Sequence, residues 1–298
     1  MSALIALIKR NTKLFFKDKG MLFTSLVTPM ILLVLYATFL ANIYRESFQS
    51  MLGGVEVNEN ILDGCVGGQL FGSLLAVSCV TVAFCSNLLM VQDKVSGAEF
   101  DLLVSPVKKS TMAMAYYIST ALTTLIIGLV AVVACLFYLL IVGWYLSALD
   151  VLLIFLDVFL LSMFGTALSS IVNCFLTSQG QISAVGTIVS AGYGFICGAY
   201  MPISQFPTFL QKIISFLPGT YGTALIRNHT MRGAFAALEK ERLPTQMIEG
   251  IKDGVDCNLY FFGHQVDVWV MYLILFVSVA VLLATYVLIN VLRNKKRK

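Results

Sequence analysis

Six stretches of this chain run for about 20 residues or more with almost no charge, each long enough to cross the hydrocarbon core of a bilayer as an α-helix. They are residues 21–41, 63–91, 112–142, 150–176, 181–201 and 266–292. In lipid the backbone must satisfy its own hydrogen bonds, so the expected fold is an all-α integral membrane protein with six transmembrane helices. A composition of 58% hydrophobic and 12% charged residues excludes a soluble globular domain. Six spans also put both termini on one side.

Lys and Arg choose that side, because cytoplasmic loops carry their excess. Lys9, Arg10, Lys13, Lys17 and Lys19 precede the first span, Lys94, Lys108 and Lys109 follow the second, and the tail RNKKRK closes the chain. Both termini are therefore expected in the cytoplasm of a bacterial cell, with the multi-pass body in the plasma membrane. Glu46, Glu56, Glu59, Glu239, Glu241, Glu249, Asp253 and Asp256 fall on the opposite face. The net charge of +4 is then a topology signal and gives no basis for nucleic-acid binding.

Residues 1–20 place Leu4, Leu7, Ile8, Leu14 and Phe15 at helical spacing opposite Lys9, Arg10, Lys13 and Lys17, the pattern of an amphipathic helix lying in the membrane surface. The apolar run of residues 21–41 is too long for a leader's hydrophobic region and reads as a retained span. The body of the permease domain would be residues 21–292, with residues 293–298 as a basic cytoplasmic tail. The cysteines follow no metal-ligand spacing. Cys65 and Cys257 both fall near the outer face, where pairing is open but not fixed by sequence.

In the second span Gly64, Gly68 and Gly72 recur every four residues, and in the fifth Gly186, Ser190 and Gly194 do the same. Such faces let helices approach closely, within one chain, between subunits or along a substrate path. Val189 is expected to face lipid. Asp157 is the one ionisable residue well inside a span, about 10 Å from its outer end at 1.5 Å per residue. A hydrogen bond to a neighbouring helix or contact with outside water would satisfy it there, and a transport role is the sharper alternative. His229 and His264 read as external and unaccompanied, which leaves no basis for catalysis.

Two segments remain. The loop of residues 92–111 is charged at both ends, and within it Phe100, Leu103 and Val104 form an apolar stripe that Pro106 terminates. A short helix of this kind, held between two spans, can be pushed by a cytosolic partner. On the outer side, residues 202–265 begin with Pro202, Pro207 and Pro218, three of the chain's six prolines. Two helices of roughly ten residues, 207–216 and 218–227, are expected; neither could span, and together they would form a re-entrant hairpin dipping in from outside.

These two segments together resemble ABC type-2 transporter permeases. GAEFDLLVSP, with Gly97, Glu99, Phe100, Asp101, Leu103, Val104 and Pro106, is similar to the family's Gly-Thr-Leu-Glu-x-Leu-Leu-x-x-Pro loop. Phe100 stands where the family commonly has Glu, and Asp93-Lys94 replaces its usual Glu-Arg. Gly198, Pro202, Phe206, Pro207, Leu217, Pro218 and Tyr221 fall at the spacings of the family's segment before the last span. The resemblance implies a six-helix permease that dimerises, as homo- or heterodimer, and works with two ATP-binding cassette subunits to move a substrate outward. It implies that the surface helix and the first cytoplasmic loop receive the ATPase, that spans two and five line the path, and that the outer hairpin gates it. No cofactor is expected in this chain: ATP and Mg would be bound by the partner ATPase, and no Gly-Lys dipeptide of a phosphate-binding loop occurs. The expected substrate is hydrophobic or amphipathic, a drug, lipid or peptide. The competing reading is an ion-coupled secondary transporter or channel with no ATPase partner.

Overall fold

A computed structural model describes residues 2–295. Helix α1 (Ser2–Lys17) is followed by α2 (Lys19–Leu35), which runs through a π-helical turn into α3 (Ala41–Met51). Then come α4 (Glu59–Ser96), α5 (Ala98–Val104), α6 (Lys109–Val142), α7 (Ala148–Phe175) and α8 (Gln179–Ile196). The outer segment holds α9 (Thr208–Ile214), α10 (Pro218–Lys240), α11 (Thr245–Gly254) and a two-residue hairpin of β1 (Tyr260–Phe261) and β2 (His264–Gln265), before α12 (Val268–Lys295). Lys296, Arg297 and Lys298 of the basic tail lie outside the described residues, as does Met1.

Among the described residues, five helices are long and apolar enough to cross a membrane: Lys19–Met51, Glu59–Ser96, Lys109–Val142, Ala148–Phe175 and Val268–Leu292. Helix α8 stands in the place of the remaining expected span. It has 18 residues, about 27 Å at 1.5 Å per residue, and Gln179, Gln181 and its glycines dilute its apolar character.

Local chemistry sets the boundaries. Asp18 caps α2 by accepting a 3.0 Å hydrogen bond from the Met21 amide, so α1 and α2 meet at a corner. Ser147 and Asp150 form a capping box that starts α7. Pro218 opens α10 at a first-turn position where its missing N–H removes no bond.

Helix α4 is the axis of the fold. It is apolar around its whole circumference, as a helix enclosed by others must be, and α2, α6, α7, α8 and α10 all pack on it. Helices α6 and α12 turn large apolar side chains outward, such as Val130, Ile141, Phe276 and Val281, as helices facing lipid do.

Three expectations are corrected by the fold. Helix α1 turns Leu7, Asn11 and Phe15 into the protein against α6 and its neighbours, while Leu14 is exposed, so its buried face is set by packing. Val189 is half-buried against the core and its neighbour Ile188 points outward. The second outer helix does not stop near Arg227 but runs 23 residues to Lys240, since no proline follows Pro218 until Pro244.

Candidate functional site

At the end of α4 nearest the N-terminal helix, Gly97 takes a left-handed conformation, φ +85°, and turns the chain into α5. Glu99 and Asp101 sit in its first turn. Phe100 and Val104, one helical turn apart, are 69% and 73% exposed. Leu103 faces the other way and packs, half-buried, on the cluster of Met90, Met112 and Tyr116. Pro106 lies in the exposed link to α6.

The base of this hairpin is fastened on both sides. Asp93 is buried and receives both guanidinium nitrogens of Arg10, at 2.7 and 3.1 Å, together with the Tyr116 hydroxyl at 2.5 Å. Hydrogen bonding to Asp93 holds the Arg10 guanidinium above its ordinary pKa. Next to it, Lys94 Nζ donates to the carbonyls of Asn173 and Cys174, capping the end of α7. Displacing α5 therefore acts on α1, α6 and α7 together.

The outer segment is built around Arg227 on α10, which is 1% exposed. Its Nη2 donates to the Ser73 hydroxyl on α4 and to the Gly198 carbonyl just past α8, and its Nη1 to Asp256, 3.2 Å away. Asp256 also accepts the amides of Ile203 and Ser204, at 2.7 and 3.2 Å, beside buried Pro202. Burial pushes the Asp256 carboxyl up from the ordinary carboxylate range, against the pull of Arg227 and the two amides. Gly198 has φ +68°, and a Cβ there would lie 2.7 Å from the Asp256 carboxylate.

Phe206 and Pro207 then lead into α9, whose Phe209 and Phe216 are exposed. Leu217 and Pro218 turn the chain into α10, and the Tyr221 hydroxyl donates 2.6 Å to the Ser215 carbonyl, holding α9 to α10. At the start of α10, Gly219 lies against Phe164, just past the midpoint of α7.

Gly64, Gly68 and Gly72 all turn to partners within the chain. A Cβ at Gly64 would meet Tyr145, one at Gly68 would meet Thr230 and Met231, and one at Gly72 would meet Arg227. The α8 face differs. Gly194 lies under the Tyr200 ring, but a Cβ at Gly186 would meet nothing, and Gly186 and Ser190 line a groove of about 830 Å³ with Thr24, Thr28 and Ile31 of α2.

Asp157 is fully buried and partnered by two helices: His229 Nδ1 of α10 lies 2.6 Å away, and Tyr272 of α12 donates its hydroxyl at 2.5 Å. His229 is thus not unaccompanied. It is 5% exposed, and its partner is 72 residues away in sequence, a separation that local periodicity cannot bridge. His264 lies on the exposed hairpin. Cys65 and Cys257 are free, buried thiols, and burial pushes that of Cys257 up to about 12. Among the described residues, no group of three His, Cys, Asp or Glu is placed to hold a metal ion.

A family model for the ABC-2 type transporter matches residues 2–229 of the chain. A comparison with curated proteins finds no match.

Proposed function

Because the chain belongs to the ABC-2 type transporter family, we propose that it is the membrane subunit of an ATP-binding cassette exporter, moving a hydrophobic or amphipathic substrate outward with ATP hydrolysed by separate subunits. The observation that carries this reading is the pair Phe100 and Val104. They stand exposed on a seven-residue helix whose base is tied through Asp93 to Arg10 and Tyr116. A cytosolic ATPase that seats these side chains in a groove gains a hot-spot contact, and its motion reaches α1, α4 and α6 through the Arg10–Asp93 ion pair.

In this reading α8 is the sixth span, both termini are cytoplasmic in a bacterial plasma membrane, and α9 with the start of α10 is a re-entrant outer hairpin. Support for the hairpin comes from Gly219, which lies against Phe164 just past the midpoint of α7. A helix that begins at that depth and ends near Asn58, where Glu241 approaches the start of α4, rises from within the bilayer toward the outside. The groove between α2 and α8, with Gly186 and Ser190 open in its wall, is the face offered to a second permease and to substrate. Small residues there allow the close approach that packing between membrane helices needs.

The test is coexpression with a candidate ATP-binding subunit and measurement of the copurified ATPase. Wild-type chain should retain the subunit, and Phe100→Ala with Val104→Ala should release it while the permease stays folded. Retention by the double variant would remove the coupling assignment.

A further inference from the structure

Arg227 and His229 lie two residues apart on α10, about 200° around the helix, and so anchor it from opposite sides. Arg227 holds α10 to α4 and to the turn after α8. His229 holds it to Asp157 of α7, and Asp157 in turn to Tyr272 of α12. Only the second anchor can change its charge near neutral pH.

We propose that Asp157, His229 and Tyr272 form a proton-binding site that takes up one proton from the outer side and thereby tightens the hold of α10 on α7 and α12. With Nδ1 of His229 donating to Asp157, the incoming proton goes to Nε2. It comes from water, and no other bond is made or broken. Before uptake the buried cluster carries the uncompensated charge of the Asp157 carboxylate; after uptake it is a neutral ion pair with the same hydrogen bonds. A second proton would leave a net positive charge, so the site stops at one.

The surrounding groups leave the site open to a pocket at His229. His229 lines an open polar pocket of about 390 Å³ with Asn228, Arg232, Glu239 and Lys252. The two fixed cations there are matched by acids: Arg232 lies 3.4 Å from Asp150 of α7, and Lys252 of α11 lies 2.8 Å from Glu249. On α4 the nearest titratable group is the Cys79 thiol, which donates to the Val158 carbonyl. Beyond Asp157, Gly165 brings α7 into direct contact with α4, where a Cβ would meet the Cys79 carbonyl at 3.0 Å and Val80 Cα at 3.1 Å. That the open end is the outside rests on the topology proposed above; the binding itself does not.

The chain has two histidines, so an H264N variant labelled with 15N-histidine isolates the imidazole of His229. In lipid nanodiscs the full chain should show a single protonation step between about pH 8 and about pH 5. Adding D157N should move its midpoint to lower pH, by about tenfold or more in proton concentration. Over the same range the melting temperature of the H264N chain should rise relative to H229Q, which keeps a hydrogen-bonding side chain but cannot take the proton. An imidazole that stays in one charge state throughout, or a melting difference that does not change with pH, would overturn the proposal. The first measurement needs no variant of the site itself, so it stands even if D157N or H229Q fails to fold.

Discussion

A Cβ added at Gly72 on α4 would lie 2.8 Å from Cγ and 3.2 Å from Cα of Arg227 on α10, so the two helices meet there with no room for a side chain. The contact places the guanidinium where Ser73, Gly198 and Asp256 can share it. Gly72→Ala should therefore destabilise the chain by about 1–3 kcal/mol through overpacking. Gly186→Ala, whose Cβ would meet nothing within the chain, should leave stability unchanged. Thermal unfolding of the two variants in the same detergent checks the difference, and equal melting temperatures would contradict it.

Removing Arg227 should cost more. Arg227→Met leaves Asp256 buried without its cation, a change worth about 3–5 kcal/mol where a buried pair is broken. The pH dependence has a definite sign. Burial already raises the Asp256 carboxyl, and loss of Arg227 raises it further. A carboxyl with a raised folded value contributes most to stability below its unfolded value, about 3.9, and loses that contribution as pH rises through the folded value. The deficit of Arg227→Met relative to wild type should thus be smaller at about pH 4 than at about pH 7. A deficit independent of pH would show that Asp256 is not the group left exposed to the loss.

The exposed and packed side chains of α5 should separate coupling from folding. Phe100→Ala and Val104→Ala remove exposed side chains and should leave the unfolding free energy within about 0.5 kcal/mol of wild type, while abolishing stimulation of the partner ATPase. Leu103→Ala removes a side chain packed on Met112 and Tyr116 and should lower stability. If Leu103→Ala were neutral to stability and Phe100→Ala were not, the orientation of α5 would be wrong.

The outer hairpin predicts a graded pattern of thiol labelling. In a background without native cysteine, Lys212→Cys on the exposed face of α9 should react with a membrane-impermeant reagent added outside, and Ile214→Cys on the buried face should not. Labelling of Lys212→Cys from the cytoplasmic side alone would reverse the proposed topology.

Five of the expected spans were legible because about 20 residues of unbroken apolarity have no other stable use. The two segments proposed to couple and to gate stood out because Gly97, Pro106, Pro202, Pro207 and Pro218 mark where helices must stop or start. Partners across the fold were not. Asp157 stood out as a buried acid, but its bond to His229 depends on α10 continuing past Arg227, and nothing in the apolar pattern shows how far a mixed helix runs. Likewise, Arg10 read as one of several lysines and arginines choosing a membrane side, whereas its bidentate contact to Asp93 follows from α1 folding back on α4 and α6. The glycine face of α4 announced close packing, and only the structure identifies α10 as what fills it at Gly68 and Gly72, with Tyr145 at Gly64.

The most direct measurement of the central claim places a photo-crosslinking amino acid at position 100 in cells and identifies the attached protein by mass spectrometry. A permease that receives its ATPase on α5 should yield a covalent adduct to a chain carrying a Gly-Lys-Ser/Thr phosphate-binding loop, and the same probe at the inward-facing position 103 should yield little. Adducts at position 100 to lipid alone, or to proteins without a nucleotide-binding domain, would contradict it.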